Sequence, residues 1–138
     1  MKSLPIINHS YNIKFVPTNT FEFKRYNEAV DLTQYKAAIL PMLPAAIKTL
    51  INNPTSRQVV INVNKPDFNT CLLNLQFQMY AGVLYVTANY RAQCEVLGRP
   101  FDTQMLKFIS TMMANALKTR FVEITCNVGN YHISHLVI

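Results

Sequence analysis

Residues 71–79 carry two interleaved sets of side chains. Cys71, Leu73, Leu75, Phe77 and Met79 share one phase, while Asn74, Gln76 and Gln78 share the other. Successive side chains of an extended chain point to opposite faces, so this period of two predicts a strand with one apolar and one amide-rich face. Ala81-Gly82 then reads as a turn, and Val83 to Arg91 as the returning partner of a hairpin. A hairpin is at best marginally stable by itself, so its apolar face needs a cover. The sequence supplies one: Met105, Phe108, Ile109, Met112, Met113, Ala116 and Leu117 recur at helical spacing, which predicts an amphipathic helix over Thr103 to Lys118. Asp102 stands where the N-cap of that helix would stand.

Weaker signals extend the pattern. A short strand is expected near Tyr11 to Val16, and a β-branched one at Val59 to Val63. Phe121 to Cys126 and Tyr131 to Val137 read as two more. Helices are expected near Leu32 to Leu40 and Pro44 to Leu50. Pro41 and Pro44 divide them, because proline lacks an amide donor and clashes with the preceding turn. Asn52-Asn53-Pro54 stops the second helix, Lys65-Pro66-Asp67 is a turn, and Leu97-Gly98-Arg99-Pro100 is a loop. The reading is an α+β fold: a mixed, mostly antiparallel sheet with one long amphipathic helix packed on it. No linker or repeat divides the chain, so a single domain over residues 1–138 is expected.

Composition narrows the functional classes. Half the residues are hydrophobic and only 14% are charged, which argues against disorder. The three cysteines, Cys71, Cys94 and Cys126, have neither disulfide-frame nor zinc spacing, so reduced thiols, no metal and a cytoplasmic location are expected. No apolar run reaches the roughly 18 residues of a membrane span. The net charge of +6 favours anionic partners. The basic residues are dispersed, with Lys24-Arg25 and Lys118 to Arg120 the densest groups, so a nucleic-acid groove is disfavoured.

Several short motifs occur in one order. They are Thr55-Ser56-Arg57-Gln58-Val59-Val60 before a strand and Cys71 leading to Gln76-Phe77. Then come Arg91, Leu97-Gly98-x-Pro100-Phe101-Asp102, Met112-Met113-Ala114 and Gly129-Asn130-Tyr131-His132. In order and spacing, this series over about Pro54 to Ser134 resembles the thymidylate synthase and deoxycytidylate hydroxymethylase family. The chain is thereby identified as a shortened, divergent relative.

The resemblance implies a pyrimidine nucleotide-binding protein acting on dCMP or dUMP as a C5 methyl- or hydroxymethyltransferase. Methylenetetrahydrofolate would be the one-carbon donor. Cys71 corresponds to the nucleophile that adds to C6 of the ring. Arg91 corresponds to a phosphate ligand that also activates the thiol, and Arg57 to one lent across a homodimer interface. Gln76, Gly98 and His132 match further substrate positions, His132 toward the sugar hydroxyl. Asp102 takes the place of an asparagine that reads uracil. An aspartate there marks the cytosine-reading branch, since cytosine offers an amino donor where uracil offers a carbonyl. Each residue also has a structural reading: a strand thiol, surface arginines, a helix cap and a satisfied strand histidine.

Departures accompany the likeness. Leu72 replaces the histidine beside the nucleophile, Gln58 the second arginine of the clamp, Ala92 a phosphate-binding serine and Cys94 a folate-contacting aspartate. Asn130 replaces the aspartate of the Gly-Asp-x-His turn, and Ser134 a tyrosine that shares the sugar contact with His132. No counterpart of the proton-relaying glutamate or of the tryptophan-rich folate wall is found. The alternative reading is a homodimeric binding or assembly module that keeps the fold without the chemistry.

Overall fold

In the computed structural model, residues 5–17 and 32–133 are described. The order is β1 (Ile6–Phe15), α1 (Leu32–Ile39), a 3-10 turn at Leu40–Met42, α2 (Leu43–Asn52), β2 (Val60–Asn62), β3 (Leu72–Tyr80), β4 (Val83–Cys94), α3 (Gly98–Leu117) and β5 (Phe121–His132). The strands form one sheet in the order β1-β5-β4-β3-β2. Three neighbouring pairs are antiparallel, and β4 and β5 are parallel. Parallel neighbours need a long crossover, and α3 is that crossover. The α+β class, the mixed sheet and the covering helix are as the sequence predicts. No helix among the described residues is long and apolar enough to cross a membrane.

Leu75, Phe77, Leu84, Val86, Ala88, Tyr90, Val122, Ile124, Cys126 and Val128 form the sheet's contribution to the core. Met105, Leu106, Ile109, Met113 and Ala114 of α3 close over them, and α2 adds Leu43, Ala46 and Leu50. The opposite sheet face is half-buried and polar. Ser10 Oγ donates to Asn127 Oδ1 (2.8 Å), Asn127 Nδ2 to Asn89 Oδ1 (3.1 Å), and Asn89 Nδ2 to Asn74 Oδ1 (2.8 Å), a hydrogen-bonded rung across four strands.

Local expectations shift in several places. The first strand starts earlier, at Ile6. Gly98 to Pro100 form the first turn of α3 instead of a loop, so Asp102 lies inside the helix; the N-cap residue is Leu97, without a side-chain cap. Met112 is 41% exposed and Ala116 is also exposed, whereas Leu106, Ser110 and Ala114 are buried. The buried stripe is turned by about a residue because α2 packs on this helix as well as the sheet. Gly129 and Asn130 continue β5 instead of turning, and the expected second strand merges into it up to His132. Residues 134–138, with the rest of that expected strand and His135, lie outside the described residues, as does Lys24-Arg25.

Candidate functional site

A row of irregularities crosses the sheet and builds the site. In β3 the register shifts between Leu72 and Asn74, so Leu72, Leu75 and Phe77 are buried and Leu73 is not. The uninterrupted alternation expected from Cys71 to Met79 is therefore corrected: a bulge moves the phase by one residue. In β4 the buried series Leu84, Val86, Ala88, Tyr90 resumes at Gln93 instead of Ala92. In β5 the series ending at Val128 resumes at Tyr131. Gly129 and Arg91 are skipped in the β4–β5 ladder, and Asn8, with φ 57°, is skipped in β1. A Cβ at position 129 would stand 3.0 Å from the Arg91 carbonyl oxygen, so close approach explains the glycine there.

The row brings Cys71 and Arg91 together. The Arg91 amide donates to the Cys71 carbonyl (2.7 Å), and Arg91 Nη2 lies 3.9 Å from Cys71 Sγ. Arg91 is exposed and Cys71 half-buried. Burial pushes the Cys71 thiol above its ordinary value, the Arg91 charge pulls it back, and the Asp102 carboxyl adds to the rise. That last influence puts Asp102 within electrostatic reach of the thiol.

Asp102 is 4% exposed, and burial raises its carboxyl to about 7, against a lowering hydrogen bond from Gln93. Gln93 Nε2 donates to Asp102 Oδ2 (2.9 Å), and Tyr11 Oη donates to Gln93 Oε1 (2.7 Å). Tyr90 is buried with its hydroxyl unpartnered, and the Asp102 charge is among the influences on it. Arg99 lies 3.8 Å over the Tyr11 ring and donates to Tyr131 Oη (2.9 Å). Tyr131 Oη in turn donates to Glu95 (3.2 Å), and His9 packs on the Tyr131 ring at 4.4 Å. Sequence reading had no role for Gln93, Tyr11 or Arg99. Nothing in the sequence marks Gln93 as buried, since it shares the polar phase of Asn89 and Arg91 and only the bulge in β4 turns it inward.

The remaining expected residues are more spread out. Gly98 is buried at the start of α3, one turn before Asp102. His132 is half-buried opposite Cys94, three residues beyond Arg91 or roughly 10 Å along the strand. Gln76 pairs with Thr87, four residues to the other side of Arg91 or roughly 13 Å. Its Nε2 donates to the carbonyl of exposed Arg57 (3.1 Å). One chain thus sets Cys71 beside Arg91 with Asp102 in electrostatic reach, and leaves Arg57 and Gln76 on the open face. The described cavities, of about 270 to 500 Å³, are lined by other residues. No group of three or more His, Cys, Asp or Glu side chains suited to a metal occurs among the described residues.

Comparison with known proteins supplies the context. The fold matches the crystal structure of thymidylate synthase from T4 phage with a TM-score of 0.64 and 18% identity. That match covers 75% of this chain and 38% of the phage protein, so this chain spans well under half of that protein. No curated protein sequence matches it. The thymidylate synthase family model matches residues 14–136, nearly the whole chain and every element of the site except β1, of which it reaches only Lys14 and Phe15. On that match the chain belongs to the thymidylate synthase family.

Proposed function

We propose that this chain is a pyrimidine nucleotide-binding member of the family, taking deoxycytidylate or deoxyuridylate with its phosphate on Arg91 and its base toward Asp102. The observation that supports it most is the convergence of an exposed guanidinium, a half-buried thiol 3.9 Å from it and a buried carboxyl within electrostatic reach. A guanidinium fork suits a phosphate dianion. His132, at the other end of the row, would meet the sugar. The aspartate at 102 favours cytosine over uracil, as in the family's hydroxymethylases.

Cys71 would add across the C5=C6 bond of the base: the sulfur bonds to C6, and C5 takes the pair of electrons and then a proton. The site is poorly prepared for that step. Burial holds the thiol protonated at neutral pH, and a phosphate on Arg91 would offset the one cation that opposes burial. Leu72, fully buried, replaces a polar neighbour. These observations favour a second reading, a binding module that keeps the fold and has lost group transfer. The family's one-carbon donor, methylenetetrahydrofolate, fits badly. The residue in its aspartate contact position is Cys94, which is 2% exposed with its sulfur 3.6 Å from the Ile133 carbonyl oxygen. Arg57 and the polar sheet face would meet a second copy, Arg57 reaching the partner's nucleotide.

Thermal shift with both nucleotides, joined to intact mass analysis with 5-fluorodeoxyuridylate, tests this. Both nucleotides should raise the melting temperature, and Arg91→Leu should abolish the rise. A mass gain of one nucleotide, absent in Cys71→Ala, would support transferase chemistry; binding without it would support the module. No stabilisation by either nucleotide ends the proposal.

A further inference from the structure

The open sheet face turns aromatic at the end away from Cys71. Tyr80, Val83 and Phe121 are register partners across β3, β4 and β5. Val16 follows β1 on the same line, since Phe15 pairs with Val122. Tyr80 is 69% exposed and Phe121 53%. The next row inward is Gln78, Tyr85, Glu123 and Lys14. Between the two rows lies a cleft of about 340 Å³, with Phe15, Val83, Tyr85 and Phe121 in its lining. Val83 stands eight residues before Arg91, roughly 26 Å along β4. The cleft is therefore remote from the Cys71 site, and it lies beyond the asparagine rung and Thr87.

Cations gather round this end. Lys14 comes from β1, Lys107 from α3, and Lys118 and Arg120 from the turn between α3 and β5. Lys107 Nζ is 5.6 Å from the centre of the Phe15 ring, and Arg120 Cζ is 6.0 Å from that of Phe121. These residues are dispersed along the sequence, and the fold assembles them. Among the described residues, Glu123 is the one acid on this end. Asp67, Glu95 and Asp102 belong to the β2–β3 loop, the turn after β4 and the start of α3, all at the Cys71 end. The ion pair of Glu123 with Lys14 (3.5 Å) leaves the lysine side chain 73% exposed. So exposed a pair is weak, and Lys14 can exchange it for another anion.

Exposed rings beside unbalanced cations fit a polyanion that carries flat apolar groups. We propose that this end of the sheet binds single-stranded nucleic acid, with bases stacked on Phe121 and Tyr80 and phosphates on Lys14, Lys107 and Arg120. Every base has a face that stacks on an aromatic ring, and a basic groove tracks the backbone. Tyr80 and Phe121 stand two strands apart, roughly 10 Å, a distance that neighbouring nucleotides span while crossing the sheet. In a duplex the bases already stack on one another, so a duplex would use the cations alone. An acidic peptide would likewise leave the rings uncovered.

The test is fluorescence anisotropy of a short labelled oligodeoxythymidylate titrated with the whole chain across a salt series. Three phosphate contacts on a single strand predict a log–log salt slope of about −2. Lys107→Glu and Arg120→Glu should each weaken binding and flatten that slope by about 0.7. Lys65→Glu makes the same charge change in the β2–β3 loop, at the other end, and should leave affinity and slope near the parent's. Phe121→Leu and Tyr80→Leu keep an apolar surface and remove the stacking face, so each should cost about tenfold in affinity with the melting temperature unchanged. Arg91→Leu should bind the oligonucleotide as the parent does, which separates this inference from the nucleotide-binding reading. Failure of the parent to bind overturns the inference, and a shift from dimer to monomer in Phe121→Leu would then assign the row to contact between copies. Equal weakening by Lys65→Glu, oligoglutamate or duplex bound as tightly, or full affinity in both leucine variants also overturns it, since each reduces the surface to unspecific charge.

Discussion

Asp102 is where a single side chain makes the largest demand on the fold. Its carboxyl has an ordinary value of 3.8 and about 7 in the folded chain, mainly through burial. The folded form thus holds its proton over a range where the unfolded form has lost it. The contribution of this group to stability is full below about pH 4, falls as pH rises, and levels off above about 7. The gap predicts a loss on the order of 4 kcal/mol. Asp102→Asn cannot ionise and should lack that fall, so urea midpoints at pH 5 and pH 8 should converge relative to the parent. Parallel pH curves for the two proteins would contradict the burial argument. Cys71, Arg91 and Asp102 could be named from sequence because their motifs have fixed spacing. Gln93 and Tyr11 could not, because 82 positions separate them and only the β1–β5–β4 arrangement brings them together. The N-cap reading of Asp102 failed because α3 begins at Gly98, and Leu97 provides no side-chain cap.

At the scale of elements, the row of bulges matters more than any one strand. It turns Gln93 and Tyr131 to the helix side and leaves Arg91 at the surface beside Cys71. Gly129 is its tightest point, since an added methyl would press on the Arg91 carbonyl at 3.0 Å. Gly129→Ala should cost about 1–3 kcal/mol, as overpacking against backbone does. Because the affected strand carries Arg91, nucleotide affinity should fall with it. Chemical denaturation and a binding titration would check the pair; an unchanged midpoint would mean that the strands part without strain. Most elements were legible in hydrophobic period: α1, α2, β2, β3, β4 and α3 lie within a few residues of expectation. The bulges were not, because a one-residue phase shift in mixed sequence looks like ordinary irregularity. β5 was read as two strands because Gly129-Asn130 carries turn chemistry, which pairing with β4 and β1 overrides.

For the whole molecule, the open sheet face is the conspicuous surface. It carries the Ser10–Asn127–Asn89–Asn74 rung, Thr87 and Thr125, with Gln76 holding Arg57 at one side. A face with its amides already paired to each other can be covered at lower desolvation cost than one with free amides. Thr87→Arg would place an unpaired charge there and should shift a proposed homodimer to monomer in sedimentation, with loss of nucleotide binding wherever Arg57 is shared. A sedimentation coefficient equal to the parent's would remove that face from consideration. The most direct check on the account is a crystal structure of the chain grown with deoxycytidylate. Phosphate density on the Arg91 guanidinium, with the ring between the Cys71 sulfur and the Asp102 carboxyl, is the predicted result. A nucleotide seated anywhere else, with Cys71 closed off by side chains, would contradict it.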